Sequence, residues 1–270
     1  MKKLVIISGV TGAIGNALLA EYGKQKSTVI YGISRQAWNL KNFINPENNK
    51  FYLNTLICSL EKTTAQDYEK SYNEFIDLID FKNFSEVIYV HALGVYPDEI
   101  NARGEYVIEN DSDGDGIDDR CTFLSYNLFR FITTKIIEKT IIPVHCVIFG
   151  SIADKHAPLV HQSWVHTINK TKDYMKNVAN TRIQMLVLNI SSVVSSHELI
   201  MRPYVFVNTD ADHSCWLSPF EISKKIASKF QTKTGGYQEK DLFNHWDEFK
   251  PDYYQDRNFT PKKMAELFKK

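Results

Sequence analysis

Short apolar runs alternate along this chain with segments whose apolar residues recur at helical spacing. The runs predict β-strands and the segments between them predict helices, so that strand and helix alternate as far as about residue 230. This order favours an α/β fold with a doubly wound, mostly parallel sheet and the strand order 3-2-1-4-5-6. The predicted strands are Leu4–Ile7, Thr28–Ile33, Phe51–Ile57, Val87–His91, Val144–Phe149 and Met185–Ile190.

Two parts of the chain depart from this alternation, although residues 1–270 are expected to form a single domain. An insertion at about residues 95–122 follows the fourth predicted strand, and an aromatic C-terminal tail covers about residues 235–270. The tail could cap a cleft, contact a partner subunit or pack on its own domain. The core is expected at about residues 1–232, and the predicted helices are Asn16–Tyr22, Thr64–Ile79, Phe123–Ile137, His161–Val178, Pro219–Phe230 and, in the tail, Thr260–Phe268.

Three glycines follow the first predicted strand at regular intervals and lead into a predicted helix. Gly9 permits a tight turn, Gly12 lets the backbone approach a phosphate, and Gly15 lets the helix pack closely on the strand. The start of that helix offers unpaired N–H groups and a partial positive charge. The stretch therefore predicts a binding site for a dinucleotide pyrophosphate, with Thr11 and Ile14 beside the glycines.

The first residues also look like a secretory signal, because Lys2 and Lys3 precede an apolar run. The glycines would interrupt the apolar core of such a signal, whereas a phosphate loop requires them. The alternation of strands and helices continues directly downstream, which favours the phosphate loop.

Composition limits the classes of partner. The 32 basic and 32 acidic residues give a net charge of zero, which indicates neither nucleic acid nor an anionic membrane. Hydrophobic residues make up 43% of the chain, enough for a large core, and no apolar run approaches the ~18 residues of a membrane span. We expect a cytoplasmic protein with reduced thiols, since there is no CxxC pair among Cys58, Cys121, Cys146 and Cys215.

Several short motifs, in order over about residues 3–230, resemble those of the short-chain dehydrogenase/reductase family. The glycines from Gly9 to Gly15 have the spacing seen most in its extended, sugar-nucleotide-type members, and Ser151 matches its active-site serine. The resemblance implies a Rossmann fold, a nicotinamide dinucleotide, a carbonyl or hydroxyl substrate (a sugar derivative is one candidate) and a homo-oligomer. Further matching positions are Ala92 and Gly94 as cofactor contacts, Asn127 as a ligand of a proton-relay water, and Ile190–Val194 near the nicotinamide.

The residues after the second and third predicted strands bear on which dinucleotide binds. A carboxylate usually follows the second strand in NAD enzymes of this fold and binds the ribose 2′-hydroxyl. Ser34 and Arg35 stand there instead, and an arginine attracts the 2′-phosphate that a carboxylate would repel. NADP(H) is therefore the expected cofactor, unless Arg35 is simply a solvated loop residue. The resemblance places Ser59, with Leu60 beside it, at the adenine, where the family carries an aspartate.

The family's catalytic tyrosine and lysine have no counterpart at the expected place. The tyrosine position holds Trp164 and the lysine position holds Ile168. A shift of two residues gives His166 and Lys170, which share one face of a helix. One hypothesis is an active reductase with His166 as proton donor, Lys170 on the ribose and Ser151 on the substrate oxygen. The other is a catalytically degenerate nucleotide-binding protein that acts as a sensor or as a subunit of a complex.

The insertion contains an acidic run, Asp111-Ser-Asp-Gly-Asp-Gly-Ile-Asp-Asp119, that matches the first half of an EF-hand-type calcium loop. The twelfth position of such a loop carries a bidentate glutamate but here holds Thr122, so that water or Asp118 would have to complete the shell. The alternative is a solvated turn rich in aspartate and glycine. The candidate metal ligands are Asp111, Asp113, Asp115, Ile117 (through its carbonyl) and Asp119.

Overall fold

The computed structural model describes residues 2–34, 65–94, 108, 110–151, 162–190, 193, 217–229 and 235–242. Within these residues six strands form one parallel sheet in the order β2-β1-β3-β4-β5-β6. The strands are β1 Lys2–Ser8, β2 Thr28–Ile33, β3 Phe84–His91, β4 Val144–Ser151, β5 Ile183–Ile190 and β6 Tyr237–Leu242.

Helices cover both faces of the sheet. They are α1 Ala13–Gly23, α2 Ala65–Asp77, α3 Asp119–Thr122, α4 Leu128–Lys139, α5 Gln162–Val178 and α6 Pro219–Lys229, with a 3-10 turn at Phe81–Asn83 and a π-turn at Phe123–Asn127. One face packs against α2, α4 and α5 through residues such as Phe75, Phe129 and Met175. The other face packs against α1 and α6 through residues such as Leu18 and Ile222. Among the described helices, none combines the length and apolar sequence needed to cross a membrane.

The central strand β1 explains why the first apolar run is uninterrupted. Successive side chains of a strand point to opposite faces, and here both faces are covered by helices. Leu4 and Ile6 belong to the core beneath α2 and α4, whereas Val5 and Ile7 belong to the core beneath α1, and all four are fully buried. Burying one such side chain stabilises the fold by about 1.5–3 kcal/mol. The predicted doubly wound α/β fold is confirmed.

The C-terminal end of the sheet differs from the prediction. Tyr237–Leu242, predicted as part of the tail, forms β6 and pairs in parallel with β5. This strand has no apolar run because it lies at the edge of the sheet, where its central residues Glu239, Lys240 and Asp241 are exposed. Charged side chains on an edge strand hinder pairing with another chain. This part of the tail therefore packs on its own domain and extends the core beyond residue 232.

Five of the six strands predicted from the sequence lie among the described residues, in the predicted order. The predicted third strand, Phe51–Ile57, and the predicted tail helix from Thr260 lie outside them. The helix predicted at Phe123–Ile137 begins earlier, at Asp119, and contains the π-turn. The acidic insertion therefore ends at Asp118, directly before α3.

The described cysteines are buried thiols, as predicted. Cys121 and Cys146 are both fully buried, and burial raises the pKa of the Cys146 thiol to about 12. A thiol that stays protonated at neutral pH is a poor nucleophile and a poor metal ligand. Cys58 and Cys215 lie outside the described residues.

Candidate functional site

The glycine loop lies where the carboxyl ends of β1, β2 and β3 meet. The N–H groups of Gly9 and Val10 donate to the Ile33 carbonyl at 2.9 and 3.2 Å, and the Ala92 N–H donates to the Ser8 carbonyl at 2.9 Å. Gly9 has a φ of +77°, and a Cβ there would lie 2.4 Å from the carbonyl oxygen of Ala92. The loop is thus fixed between two strand ends, and no side chain fits at Gly9.

Gly12 and Gly15 shape the start of α1 in different ways. A Cβ at Gly15 would lie 2.1 Å from the Gly9 carbonyl oxygen, so only glycine lets the first turn pack onto the loop. Gly12 is the exposed N-cap residue; it has no side chain to cap the helix, and the first turn contains no acidic residue. The first N–H groups and the positive end of the helix dipole therefore remain open. This arrangement suits a phosphate anion.

Ser34 follows β2 directly and lies beside the glycine loop. Its hydroxyl oxygen is 2.8 Å from that of Thr11, and Ser34 is almost completely buried. The predicted ribose-side residue and the predicted phosphate loop are thus brought together. The predicted contacts of Arg35, Ser59 and Leu60 concern residues outside the described part of the chain.

A chain of buried hydrogen bonds connects β1 to β3 below the glycine loop. The hydroxyl oxygen of Tyr89 lies 3.1 Å from that of Ser8 and 2.8 Å from Nδ1 of His91. Nε2 of His91 lies 2.7 Å from the carbonyl oxygen of Leu124. Because a carbonyl only accepts, a neutral His91 carries its proton on Nε2 and accepts from Tyr89 at Nδ1. Burial lowers the pKa of His91 to about 4, so that the ring is neutral at pH 7.

His91 meets the helix opposite it at the π-turn Phe123–Asn127. In this turn the N–H of Leu128 donates to the carbonyl of Phe123, one residue further back than in an α-helix. The wider turn disturbs the usual pairing of the helix carbonyls. His91 donates to the carbonyl of Leu124 from outside the helix. A side chain of the sheet thus holds the irregular turn in place.

The π-turn places Ser125 inside the protein beside the end of β3. Thr171 of α5 donates to the Ser125 carbonyl at 3.3 Å, which holds the turn from a second side. Ser125 is only 4% exposed, and its Oγ lies 3.8 Å from the position that a Cβ on Gly94 would occupy. Gly94 itself is exposed. Ser125 therefore lies just beneath a surface that a ligand beyond the carboxyl end of β3 would cover.

Trp164 lies on the face of α5 that packs toward Gly94. The ring of Trp164 lies 3.1 Å from the Cβ position at Gly94, and Trp164 is buried. Ile168, one turn along α5, is buried in the same core. Trp164 and Ile168 are the two residues that stand at the positions where the family's catalytic tyrosine and lysine are expected.

His166 and Lys170 lie on another face of α5. At about 100° per residue, His166 is turned about 200° from Trp164, and its side chain is exposed. Lys170 is also exposed, and its ammonium lies 4.7 Å from the centre of the Tyr126 ring, a cation–π contact. The structure thus brings neither residue to the face that carries Trp164.

Ser151 and Asn127 occupy different surroundings. Ser151 ends β4 at the carboxyl edge of the sheet, is half-buried and pairs with Ile190 of β5. Asn127 is exposed and lines a groove of about 330 Å³ between α2 and α4, together with Glu69 and Arg130. Ser151 therefore lies at the edge where ligands of this fold bind, while Asn127 opens toward a groove beside α2.

Comparison with known proteins identifies the fold. No protein-family model and no curated protein sequence matches the chain. Among solved structures, 4-hydroxyisoleucine dehydrogenase complexed with NADH is 15% identical, with 92% of this chain and 100% of that chain covered and a TM-score of 0.65. A short chain dehydrogenase family protein from Francisella tularensis subsp. tularensis SCHU S4 is 14% identical, with 96% and 99% covered and a TM-score of 0.62. Serine dehydrogenase from Escherichia coli is 10% identical, with 89% and 97% covered and a TM-score of 0.61.

The chain has the short-chain dehydrogenase/reductase fold. The glycine loop, Ser151 and Gly94 lie along one edge of this fold, at the carboxyl ends of its strands. The acidic insertion directly precedes α3. It lies next to α5, because the Asp118 N–H donates to Ser163 Oγ at 2.9 Å.

The acidic insertion is wound around Asp111. The carboxylate of Asp111 accepts from the N–H groups of Gly114 and Gly116 at 2.8 and 2.9 Å, and both glycines have positive φ. Carboxylate oxygens of Asp111, Asp113 and Asp115 lie within 4.8 Å of one another. The structure therefore brings together three of the predicted metal ligands.

Asp118 and Asp119 make other contacts. Asp119 Oδ2 accepts from the Ser112 N–H at 2.9 Å. Asp118 is 1% exposed, caps α3 by accepting from the N–H groups of Arg120 and Cys121, and pairs with the Arg120 guanidinium at 3.0 Å. Burial opposes its ionisation, but Arg120 and the N–H groups hold the pKa of Asp118 below its usual value. The carboxylate of Asp118 points into α3, so the suggestion that it completes a calcium shell is not supported.

His91 and Ser125 were not predicted as site residues. For His91 a signal exists, because Tyr89 and His91 lie two residues apart in an apolar strand and so share one buried face, where polar groups need partners. For Ser125 no local signal exists, because its inward placement depends on the π-turn and on the side chains that hold it.

Proposed function

We propose that the protein binds NADP(H) at the glycine loop and acts as an oxidoreductase on a carbonyl or hydroxyl group, with a sugar derivative as one candidate. The observation that carries this proposal is the open start of α1, where Gly12 provides no cap and the first turn contains no acidic residue. Backbone N–H groups and the helix dipole supply the attraction for a pyrophosphate there. Ser34 and Arg35 after β2 favour the 2′-phosphate of NADP(H), because neither is a carboxylate.

When bound, the dinucleotide would supply or accept hydride, and the protein would bind and orient the substrate. Ser151 at the end of β4 is the candidate donor of a hydrogen bond to the substrate oxygen. His166 remains the candidate proton donor and Lys170 the candidate ribose ligand. Both side chains are exposed, on a face of α5 other than the one that carries Trp164.

The face of α5 toward Gly94 favours a second candidate function, dinucleotide binding without turnover, as a sensor or a subunit of a complex. Trp164 packs against Gly94, and Ile168 is buried in the core one turn further along the helix. Neither side chain has a group that exchanges a proton with a substrate near neutral pH. Both functions predict that NADPH binds, but only the oxidoreductase predicts that NADPH is turned over.

Turnover of NADPH distinguishes the two functions. With a panel of aldehydes, ketones and keto-sugars, the oxidoreductase proposal predicts a steady loss of NADPH absorbance. It predicts a rate at least about 100-fold lower in Ser151→Ala, because a group that stabilises the reacting oxygen is lost. Ser85→Ala, at the exposed amino end of β3, is the control and should keep the rate. Binding without turnover throughout the panel would favour the second function, and undiminished turnover in His166→Phe would exclude His166 from the mechanism.

For the acidic loop we propose a calcium site formed by Asp111, Asp113, Asp115 and the Ile117 carbonyl, with Asp119 completing it through water. The convergence of three carboxylates, which repel one another without a cation, supports this proposal. Isothermal titration with calcium chloride should give a heat of binding, and calcium should raise the melting temperature of the protein. Both effects should be lost in Asp113→Asn. Asp173→Asn, exposed on α5, is the control. Absence of heat up to millimolar calcium, together with melting that a chelator does not change, would contradict the proposal.

A further inference from the structure

Ser125 is a buried serine whose hydroxyl has no hydrogen-bond partner among the described residues. Other buried serines in the described part of the chain have one: Ser163 Oγ accepts from a backbone N–H at 2.9 Å, and Ser223 Oγ donates to a carbonyl at 2.8 Å. Leaving a buried hydroxyl unpaired costs free energy, because its bonds to water are lost and not replaced. The position of Ser125 therefore calls for a ligand or an ordered water as its partner.

The hydroxyl of Ser125 is held at this position from two sides. His91 donates to the carbonyl of Leu124, and Thr171 donates to the carbonyl of Ser125 itself. Both contacts act on the backbone of the π-turn and leave the Ser125 hydroxyl available. π-turns occur frequently at functional sites, where they redirect side chains. Here the redirected side chain lies beside Gly94, on the carboxyl side of β3.

The direction of a bound dinucleotide follows from the loop. The glycine loop would hold the pyrophosphate between β1 and β3, with the adenosine on the side of Ser34 after β2. The nicotinamide half would then lie on the other side, toward the ends of β3 and β4 and Gly94. Ile168, which stands where the family's ribose-binding lysine is expected, is a buried apolar residue and cannot hydrogen-bond to a ribose.

We propose that the hydroxyl of Ser125 binds a ribose hydroxyl in the nicotinamide half of the dinucleotide, directly or through one ordered water. This inference rests on the proposed binding of NADP(H). A serine and a ribose hydroxyl suit each other because each can donate and accept. A bridging water of this kind is nearly as favourable as a direct bond.

Substitution Ser125→Ala tests the inference through two opposite effects. The free protein should melt at the same temperature or about 2–4 °C higher, because an unpaired buried hydroxyl is removed. The Kd for NADPH, measured by nicotinamide fluorescence, should rise about fivefold through the loss of one hydrogen bond. The Kd for adenosine 2′,5′-bisphosphate, which lacks the nicotinamide half, should not change.

Ser223→Ala on α6 is the matched control, since it removes a buried serine hydroxyl that already has a partner. It should lower the melting temperature and leave both dissociation constants unchanged. If Ser125→Ala binds NADPH as tightly as the wild type, the inference is overturned while the proposed function stands. Equal weakening of both ligands would show a general structural role and also overturn it. A wild-type protein that binds neither ligand would overturn the proposed function and the inference together.

Discussion

Two buried histidines at opposite ends of the sheet have different electrostatic surroundings. His145, near the amino end of β4, lies 3.3 Å from a carboxylate oxygen of Glu86 and 2.8 Å from the amide oxygen of Gln184. The hydrogen bond to His145, with the nearby Lys3, holds the pKa of Glu86 below its usual value although burial opposes this. His91, at the carboxyl end of β3, has a tyrosine hydroxyl and a carbonyl as partners and stays neutral at pH 7. His91 is therefore suited to hold the π-turn without bringing a charge to the carboxyl edge of the sheet, where ligands of this fold bind.

Glu239 on β6 is a residue whose charge state links pH to stability. Its carboxylate accepts from the Lys172 ammonium at 2.8 Å, from the Asn189 amide at 2.9 Å and from the Tyr237 hydroxyl at 3.1 Å. Burial raises its pKa, but these hydrogen bonds outweigh burial and lower the pKa of Glu239 to about 2. The fold therefore stabilises the ionised carboxylate of Glu239, compared with the same side chain in the unfolded chain.

Because the folded pKa lies below the unfolded one, Glu239 stabilises the protein above about pH 4.5, and this stabilisation is lost as the pH falls toward about 2. Glu239→Gln should cost about 1 kcal/mol at pH 7, or about 2–4 °C in melting temperature, a value reduced for partial exposure. The difference in melting temperature between variant and wild type should shrink as the pH falls below about 4.5 and be smallest near pH 2. Glu138→Gln, an exposed partner of Lys135, is the control and should change little. A difference that stays constant down to pH 3 would contradict this account.

At the scale of elements, the sequence predicted well what depends on local apolar pattern. The runs that became β1, β2 and β4 are buried on both faces and therefore visible as apolar runs. β6 was missed for the opposite reason, since an edge strand with exposed charges has the composition of a loop. Its place in the sheet comes from pairing with β5 and from the bond between Lys172 and Glu239, which are distant in sequence.

The π-turn was also beyond prediction from the sequence. Apolar spacing over residues 123–137 indicates a helix but does not distinguish an α-turn from a single π-turn. The wider turn is held by His91 and Thr171, which approach its carbonyls from β3 and α5. Its position is a property of the assembled fold, and so is the inward direction of Ser125.

At the scale of the whole molecule, the fold and the shape of the glycine loop were accessible from sequence for related reasons. Alternating strands and helices admit few topologies, and the tight turn, the missing cap and the helix dipole at Gly12 are local features. The candidate catalytic residues were less accessible, because their placement depends on which face of α5 packs toward Gly94. Spacing alone allowed both the pair Trp164 and Ile168 and the shifted pair His166 and Lys170, and only packing separates the two faces.

The central claim is that the open start of α1 binds the phosphates of a dinucleotide, and Gly12→Asp tests it most directly. Aspartate is a good N-cap residue, so the helix should gain a few tenths of a kcal/mol. Its carboxylate, however, would stand where the pyrophosphate binds and would repel it. Gly12→Asn is the matched control, with nearly the same shape and no charge. A Cβ at this position meets the Gly9 carbonyl oxygen at 3.3 Å, which a small shift relieves.

The deciding measurement is the Kd for NADPH by nicotinamide fluorescence in the wild type, Gly12→Asn and Gly12→Asp, with the melting temperature of each. We predict saturable binding to the wild type, weaker binding to Gly12→Asn, and binding at least about 100-fold weaker than wild type for Gly12→Asp, which corresponds to about 2.7 kcal/mol. The melting temperature of Gly12→Asp should not be lower than that of the wild type. A folded Gly12→Asp protein that binds NADPH with wild-type affinity would contradict the claim.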